Sequence, residues 1–136
     1  MRAQQWALAL SCLLVFSVSP NLNAQEETMV QQQVSDGVIA AGVENLVPQG
    51  IAKTFSPGVG TLYAFSRIQG SEGETLVIHK WFHGDQLRAE IKLPVRSKSW
   101  RTYSSKIILP EWTGEWKVEV TAEDGTVLAS IPFSIQ

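Results

Sequence analysis

The two histidines of this sequence have side chains that can hold a metal ion or move a proton. His79 and His83 are four positions apart in a segment that alternates like a β-strand. On a strand this spacing puts both rings on one face but about 13 Å apart, too far to share a metal ion unless the turn at Gly84 bends His83 back. We therefore predict no metal site, and we expect His79 to be a hydrogen-bonded, half-buried residue beside Trp81.

The serines and glutamates do not form a recognisable catalytic motif. Ser104 lies in a predicted strand with no Gly-x-Ser-x-Gly turn around it, and Lys106 is its ordinary neighbour on the same face. Glu111 and Glu115 flank an aromatic loop, but a small β-domain offers no deep cleft for a pair of glycosidase carboxylates. We predict no catalytic residue and no cofactor. A hydrolase whose site is assembled from loops is the alternative.

Basic and aromatic side chains are concentrated between Gln86 and Lys106. Six lysines and arginines stand there against one glutamate, a local charge of +5 in 21 residues of a chain whose net charge is −2. Aromatic faces beside cations suit sugar rings and anionic polymers. The predicted ligand or partner surface comprises Arg88, Lys92, Arg96, Lys98, Trp100, Arg101, Tyr103 and Trp112. The same charges on a strand edge also prevent aggregation, so a merely solvated face stays open as the alternative.

Short apolar or alternating runs between turn residues predict an all-β domain. The composition, 44% hydrophobic and 18% charged, is that of a globular chain and not of a disordered one. The seven candidate strands are residues 37–46, 61–68, 74–82, 86–95, 99–109, 115–121 and 126–135, with a Pro/Gly-containing connection over 47–60. Seven short strands in about 100 residues favour an immunoglobulin-like antiparallel β-sandwich, with a small β-barrel as the alternative.

Turn residues and alternation assign the strand faces. Gly84-Asp85 predicts a tight hairpin, and Asp124-Gly125 predicts a type I′ turn. The inward rows are Leu87, Ala89, Ile91 and Leu93, then Trp116, Val118 and Val120, then Val127, Ala129, Ile131, Phe133 and Ile135. The outward row of residues 86–95 is Arg88, Glu90 and Lys92. Pro132 cannot donate to a ladder, so the last strand should have a free edge there.

Four of the five tryptophans follow the predicted signal, and they divide into two pairs. Trp81 is predicted to be a core residue, because sandwiches of this class bury a tryptophan on the corresponding strand. Trp116 begins the inward row of its strand and is also expected in the core. Trp100 follows a basic stretch and Trp112 lies in a Pro/Gly loop, so these two are the candidates for exposed anchors.

The first 24 residues predict a secretory signal. Arg2 precedes an apolar run over residues 6–18, and Ala24 supplies the small residue before the expected cleavage. Thirteen helical residues span roughly 20 Å, less than the ~30 Å hydrocarbon core, so we expect no permanent transmembrane helix, although a signal retained as an anchor stays open. The predicted divisions are a signal peptide (1–24), a flexible polar lead (25–35) and a β-sandwich domain (36–136). Cleavage would remove Cys12, the only cysteine.

Three segments of the second half resemble a bacterial domain family of unknown function. They are His79-Lys80-Trp81, the W-R-x-x-S-S-K pattern of residues 100–106, and the P-x-W-x-G-x-W-x-V pattern of residues 110–118. The resemblance covers about Thr61 to Phe133. It implies a single β-sandwich located in the bacterial envelope, and it implies no particular activity or ligand.

Taken together, these features predict a non-enzymatic, exported binding or interaction module of the cell envelope, periplasmic or secreted. The expected partners are an envelope polysaccharide, an anionic lipid or an envelope protein. Nucleic acid is not expected, because the chain as a whole is not basic. The alternative is a small periplasmic hydrolase. A flat face bearing Trp100 and Arg101 favours binding, whereas a concave pocket where Ser, His or Glu side chains converge favours hydrolysis.

Overall fold

A computed structural model describes residues 32–136, which form two β-sheets packed face to face. The strands are β1 (Gln33–Glu44), β2 (Val47–Ile51), β3 (Thr54–Phe55), β4 (Gly60–Gln69), β5 (Thr75–His83), β6 (Gln86–Val95), β7 (Ser99–Ile108), β8 (Gly114–Ala122) and β9 (Val127–Ile135). A four-stranded sheet has the order β2-β1-β4-β7, and a five-stranded sheet has the order β3-β9-β8-β5-β6. The predicted all-β sandwich is confirmed, and the barrel alternative is wrong because the two sheets stay separate.

The N-terminal predictions fall largely outside the described residues. The signal peptide, its cleavage after Ala24, Cys12 and residues 25–31 of the polar lead all lie there. The end of the predicted lead is different, because β1 begins at Gln33 and Val34 packs against the core. Within residues 32–136, no helix is long and apolar enough to cross a bilayer.

The Pro/Gly-containing connection over residues 47–60 holds two strands that the sequence did not predict. The predicted first strand ran through Asn45 and Leu46, but both have positive φ, 50° and 58°, and they form a two-residue hairpin turn that starts β2. Further on, β3 pairs with the end of β9 in parallel, Thr54 opposite Ser134. The domain therefore has nine strands over the described residues and one parallel pair.

Leu46 is strained by its positive φ, since a side chain with a Cβ is disfavoured in that region. We expect Leu46→Gly to raise the free energy of unfolding by up to about 1 kcal/mol, because relief of this strain exceeds the added freedom of the unfolded chain. Val47→Gly is the matched control, since Val47 begins a strand, and it should lower stability. Urea unfolding of the three proteins measures both changes, and a loss of stability in Leu46→Gly would contradict this account.

The core lies between the inward rows of the two sheets. Trp81 and Trp116, predicted as core residues, are 0% and 2% exposed. Val118 and Val120 continue the inward row of β8 as predicted. Phe133 packs edge-on against Trp81, with ring centroids 6.1 Å apart, and stacks on Trp116 at 5.8 Å. The core is therefore aromatic at the end where β8 begins.

Two β-bulges reverse the predicted faces over short stretches. Trp81 pairs with Ala89 but Phe82 pairs with Leu87, so the extra residue, Arg88, disrupts the alternation. As a result Leu87 is 46% exposed, although it was predicted to face inward, and Arg88 is half-buried, although it was predicted to face outward. A second bulge leaves Leu128 unpaired opposite β8, and the predicted inward residue Val127 is 54% exposed.

The last hairpin is not the predicted type I′ turn. Gly125 has positive φ at 92°, but Asp124 does not, and a four-residue loop joins the strands. Gly125 N–H donates to Ala122 O at 3.0 Å, and the Asp124 side chain accepts from Thr126 N–H at 2.9 Å. The predicted free edge at Pro132 is confirmed, because β3 pairs with β9 only from Ser134 onward.

Candidate functional site

The eight residues of the predicted basic and aromatic surface do not lie on one face. Arg96 and Lys98 are in the loop after β6, whereas Arg88 is near the start of that strand. Eight residues of extended chain separate Arg88 from Arg96, which is about 26 Å. Trp112 is in the loop before β8, at the same end as Arg88. The predicted surface therefore separates into groups at different parts of the sandwich.

Lys92 lies on the outer face of the five-stranded sheet, among alternating charges. It is paired across the ladder with Ile78, and it is exposed. The neighbouring outer positions carry both signs, since Lys80 pairs with Glu90 on one side and with Glu119 on the other. Mixed charge of this kind is typical of a solvated sheet face.

Arg101 and Tyr103 lie on the outer face of the four-stranded sheet, which is more apolar. Tyr103 is opposite Phe65, and its ring meets Tyr63 edge-on at 6.0 Å. Phe65 is only 2% exposed although it lies outside the inter-sheet core, because the surrounding side chains cover it. Two residues before Tyr103 on β7, Arg101 is paired with Arg67 of β4. This face is thus aromatic beside a pair of arginines.

Trp100 is not the exposed anchor that the sequence suggested. Its position on β7 is opposite the buried Ile68, and its side chain is half-buried and packs against the core. Alternation explains this placement, because Trp100, Thr102 and Ser104 occupy one row of β7, and that row faces the other sheet. The basic stretch before Trp100 is a loop and does not determine which way the indole points.

Trp112 is half-buried against the core and carries two cations over its ring. The Arg88 guanidinium carbon is 4.8 Å from the ring centroid, and the Lys106 ammonium nitrogen is 5.2 Å from it. Both distances are within the range of cation–π attraction. We call Arg88, Lys106 and Trp112 the Trp112 cluster. Arg88 and Trp112 were predicted from the sequence as surface residues of a binding site, whereas Lys106 was not.

The strands explain how these three side chains meet. The bulge on β6 turns Arg88 away from the outer face that alternation predicts for it. Lys106 lies in the inward row of β7, opposite Leu62, but β7 is an edge strand, so its long side chain reaches the rim. β6 is the edge strand of the other sheet and runs next to β7. The cluster therefore closes the gap between the two sheet edges.

Trp112 itself is held by its own loop and by Trp116. The Trp112 N–H donates to Leu109 O at 2.9 Å, and the Trp116 indole N–H donates to Trp112 O at 2.9 Å. The two indole rings are 6.1 Å apart. On its other side Trp116 stacks on His83 at 4.6 Å, and His83 Nε2 donates to Thr113 O at 2.7 Å. The Trp112 ring is thus fixed by contacts that continue into the core.

Within the described part of the chain, neither positive charge of the Trp112 cluster forms an ion pair. Over residues 32–136 the structure has one ion pair, between Lys117 and Glu119 at 3.1 Å. Arg88 and Lys106 are no more than about 10 Å apart, the sum of their distances to the ring centroid, so their fields overlap within one Debye length. The Arg88 Nε is buried and has no hydrogen-bond partner among the residues that the structure describes. Over residues 32–136 the cluster is therefore a cationic site without an ion-pair partner.

A second group of polar side chains lies inside the core, between β5 of one sheet and the neighbouring strands β4 and β7 of the other. His79 Nε2 is 2.9 Å from Ser66 Oγ, and His79 Nδ1 is 2.7 Å from Ser104 Oγ. The Trp81 indole N–H donates to the same Ser104 Oγ at 3.0 Å. In one consistent proton arrangement Ser104 donates to Nδ1 and Nε2 donates to Ser66, so every polar atom of the group is satisfied.

Burial keeps this imidazole neutral. Loss of hydration lowers the pKa of His79 from 6.5 to about 4. Ser66 and His79 are 0% exposed and Ser104 is 4% exposed, so the serine–histidine contacts are closed to a substrate. The expected hydrogen-bonded histidine beside Trp81 is confirmed, and it is fully buried instead of half-buried. Ser66 was not predicted from the sequence.

The described residues contain no group of three or more His, Cys, Asp or Glu side chains placed to hold an ion. A cleft of about 310 Å³ is lined in part by Gln32, Ser71 and Glu74, and a cleft of about 190 Å³ by Gly37, Ile51 and Ile131. His79 lines neither cleft.

The fold and the site together define a small β-sandwich with a basic and aromatic cluster at one end. Residues 74–135 match a family model described as "Protein of unknown function (DUF2914)", which confirms the predicted resemblance to a family of unknown function. No curated protein matches the chain. Among solved structures, it is similar to a mutant β-glucosidase from Listeria innocua in complex with laminaribiose, with a TM-score of 0.44 and 11% identity. This similarity covers 78% of the chain and 16% of the glucosidase.

Proposed function

We propose that this protein is a non-enzymatic, exported binding module of the cell envelope that contacts an anionic envelope component. One observation carries the proposal: Arg88 and Lys106 converge on Trp112, and among residues 32–136 neither of them has a carboxylate in an ion pair. A site that keeps two cations unpaired attracts anions, and its aromatic ring adds a surface for stacking. Export rests on the basic, apolar and small-residue order of residues 1–24.

The hydrolase alternative is less well supported. Its strongest candidate is the pair formed by Ser104 and His79, whose atoms are 2.7 Å apart. That pair lies between the sheets, and the Ser104 hydroxyl also accepts from Trp81. A serine nucleophile needs an open approach for the substrate and a base with a pKa near the working pH, and this group offers neither. Binding is therefore the function that we propose.

Sedimentation with isolated envelope fractions tests the proposed function. The protein, produced from its full coding sequence, is mixed with cell-wall sacculi, outer-membrane vesicles or inner-membrane lipid and then pelleted at low and high salt. We expect it to sediment with at least one fraction at low salt and to be released at high salt, because exposed charge interactions are screened within about 8–10 Å. Failure to sediment with any fraction at low salt would contradict the proposal.

A further inference from the structure

We propose that the Trp112 cluster is a phosphate-binding site, which recognises phosphate groups carried by an envelope component. The inference rests on the proposed function and identifies the ligand group and the residues. Arg88 offers a planar guanidinium that matches two oxygens of a phosphate at once. Lys106 offers a compact charge that is less directional. Both lie over the same ring, 4.8 and 5.2 Å from its centroid, so the two charges are at most about 10 Å apart and attract the same approaching anion.

One nitrogen of the Arg88 guanidinium is buried. This nitrogen, Nε, has no hydrogen-bond partner within residues 32–136. A buried donor without a partner is unfavourable, and a ligand oxygen would remove that penalty once a shift of the Arg88 side chain towards the rim uncovers this nitrogen. Nε and the adjacent terminal nitrogen form one edge of the guanidinium, and that edge suits side-on contact with two phosphate oxygens. The Arg88 guanidinium therefore has one N–H donor that lacks an acceptor among the described residues.

The Trp112 ring of the cluster is positioned before any ligand binds. Arg88 is half-buried at a bulge, and Trp112 is held by Leu109 O and by the Trp116 indole. A preformed site loses less conformational entropy on binding than exposed side chains do. Arg96 and Lys98, by contrast, are exposed residues of a loop. The loop pair Arg96 and Lys98 carries the same charge as the two cations of the Trp112 cluster, but only the cluster is built around a side chain that the rest of the domain holds in place.

This contrast provides a matched pair of variants. Arg88→Gln with Lys106→Gln removes two charges from the cluster, and Arg96→Gln with Lys98→Gln removes two charges from the loop. Each protein is titrated with inorganic phosphate at constant ionic strength, with chloride as the blank, and tryptophan fluorescence is recorded. Trp112 is the ring in contact with both cations, so occupancy changes its emission. A thermal melt of each variant confirms that it is folded.

We expect saturable phosphate binding by the natural protein, about tenfold or more weaker binding by the cluster variant, and binding within about twofold by the loop variant. Vesicles of phosphatidylglycerol mixed with phosphatidylcholine provide the second arm. If vesicles but not free phosphate bind through the cluster, a lipid headgroup is the source of the phosphate group. If the cluster variant does not fold, Lys106→Gln alone takes its place and should still weaken binding.

Two results would overturn the inference. One is that neither phosphate nor vesicles bind in a way that depends on Arg88 or Lys106, while the protein still sediments with an envelope fraction. In that case the binding module survives and the phosphate site does not. The other is that the loop variant loses as much binding as the cluster variant, which would show that net charge, and not this site, determines affinity. Absence of sedimentation with every fraction would instead contradict the proposed function.

Discussion

Trp116→Ala should lower the free energy of unfolding by about 3–5 kcal/mol, the range for removing a buried aromatic side chain. Trp116 is 2% exposed and lies between the rings of His83 and Phe133, at 4.6 and 5.8 Å. The substitution removes both stacks and leaves Trp112 O without the indole donor. It therefore also loosens the loop that carries the Trp112 cluster.

The matched control for this prediction is Trp100→Ala. The side chain removed is the same, but Trp100 is only half-buried, so the loss of stability should be clearly smaller. Urea unfolding followed by circular dichroism measures both variants on one scale. A Trp116→Ala protein that melts within about 4 °C of the natural one would show that Trp116 is not a core residue, since such a shift corresponds to about 1 kcal/mol.

The strand faces show how far the sequence predicts the fold. Alternation correctly places Trp116, Val118 and Val120 in the core, because β8 is regular over these residues. It fails at Leu87 and Val127, where a bulge inserts one residue and reverses the phase of the side chains. A bulge depends on how a strand pairs with its neighbour. The local alternation of apolar and polar residues therefore does not reveal it. The sequence thus predicts faces only within unbroken ladders.

The candidate site was predictable only in part for a related reason. Local charge density pointed to residues 86–106 but treated them as one surface, whereas strand length separates Arg88 from Arg96 by about 26 Å. Lys106 and Trp112 meet because two sheet edges lie side by side, which no local pattern records. Ser66 did have a usable signal. It stands between the apolar residues Ala64 and Ile68 in an inward row, where a polar side chain needs a partner.

Acidification from pH 7 to pH 4 should lower the free energy of unfolding by about 3 kcal/mol through His79 alone. Burial lowers the pKa of His79 from 6.5 to about 4 in the folded protein, while the unfolded chain keeps the ordinary value. Between pH 6.5 and about pH 4 the His79 imidazole is protonated in the unfolded state but neutral in the folded state. The stability contribution is therefore complete above pH 6.5, falls as the pH drops and stops falling below about pH 4.

A His79→Gln variant isolates this effect. Glutamine offers a donor and an acceptor to Ser66 and Ser104 but does not titrate, and His83 and every carboxylate remain in both proteins. Urea unfolding of each protein across pH 4–7 should show a steeper loss in the natural chain, with the two curves converging towards pH 4. Since no charged group hydrogen-bonds to the ring, this difference reports burial itself. Parallel curves, or an NMR titration of His79 centred near pH 6.5, would show that water reaches the imidazole and that the sheets are not closed over it.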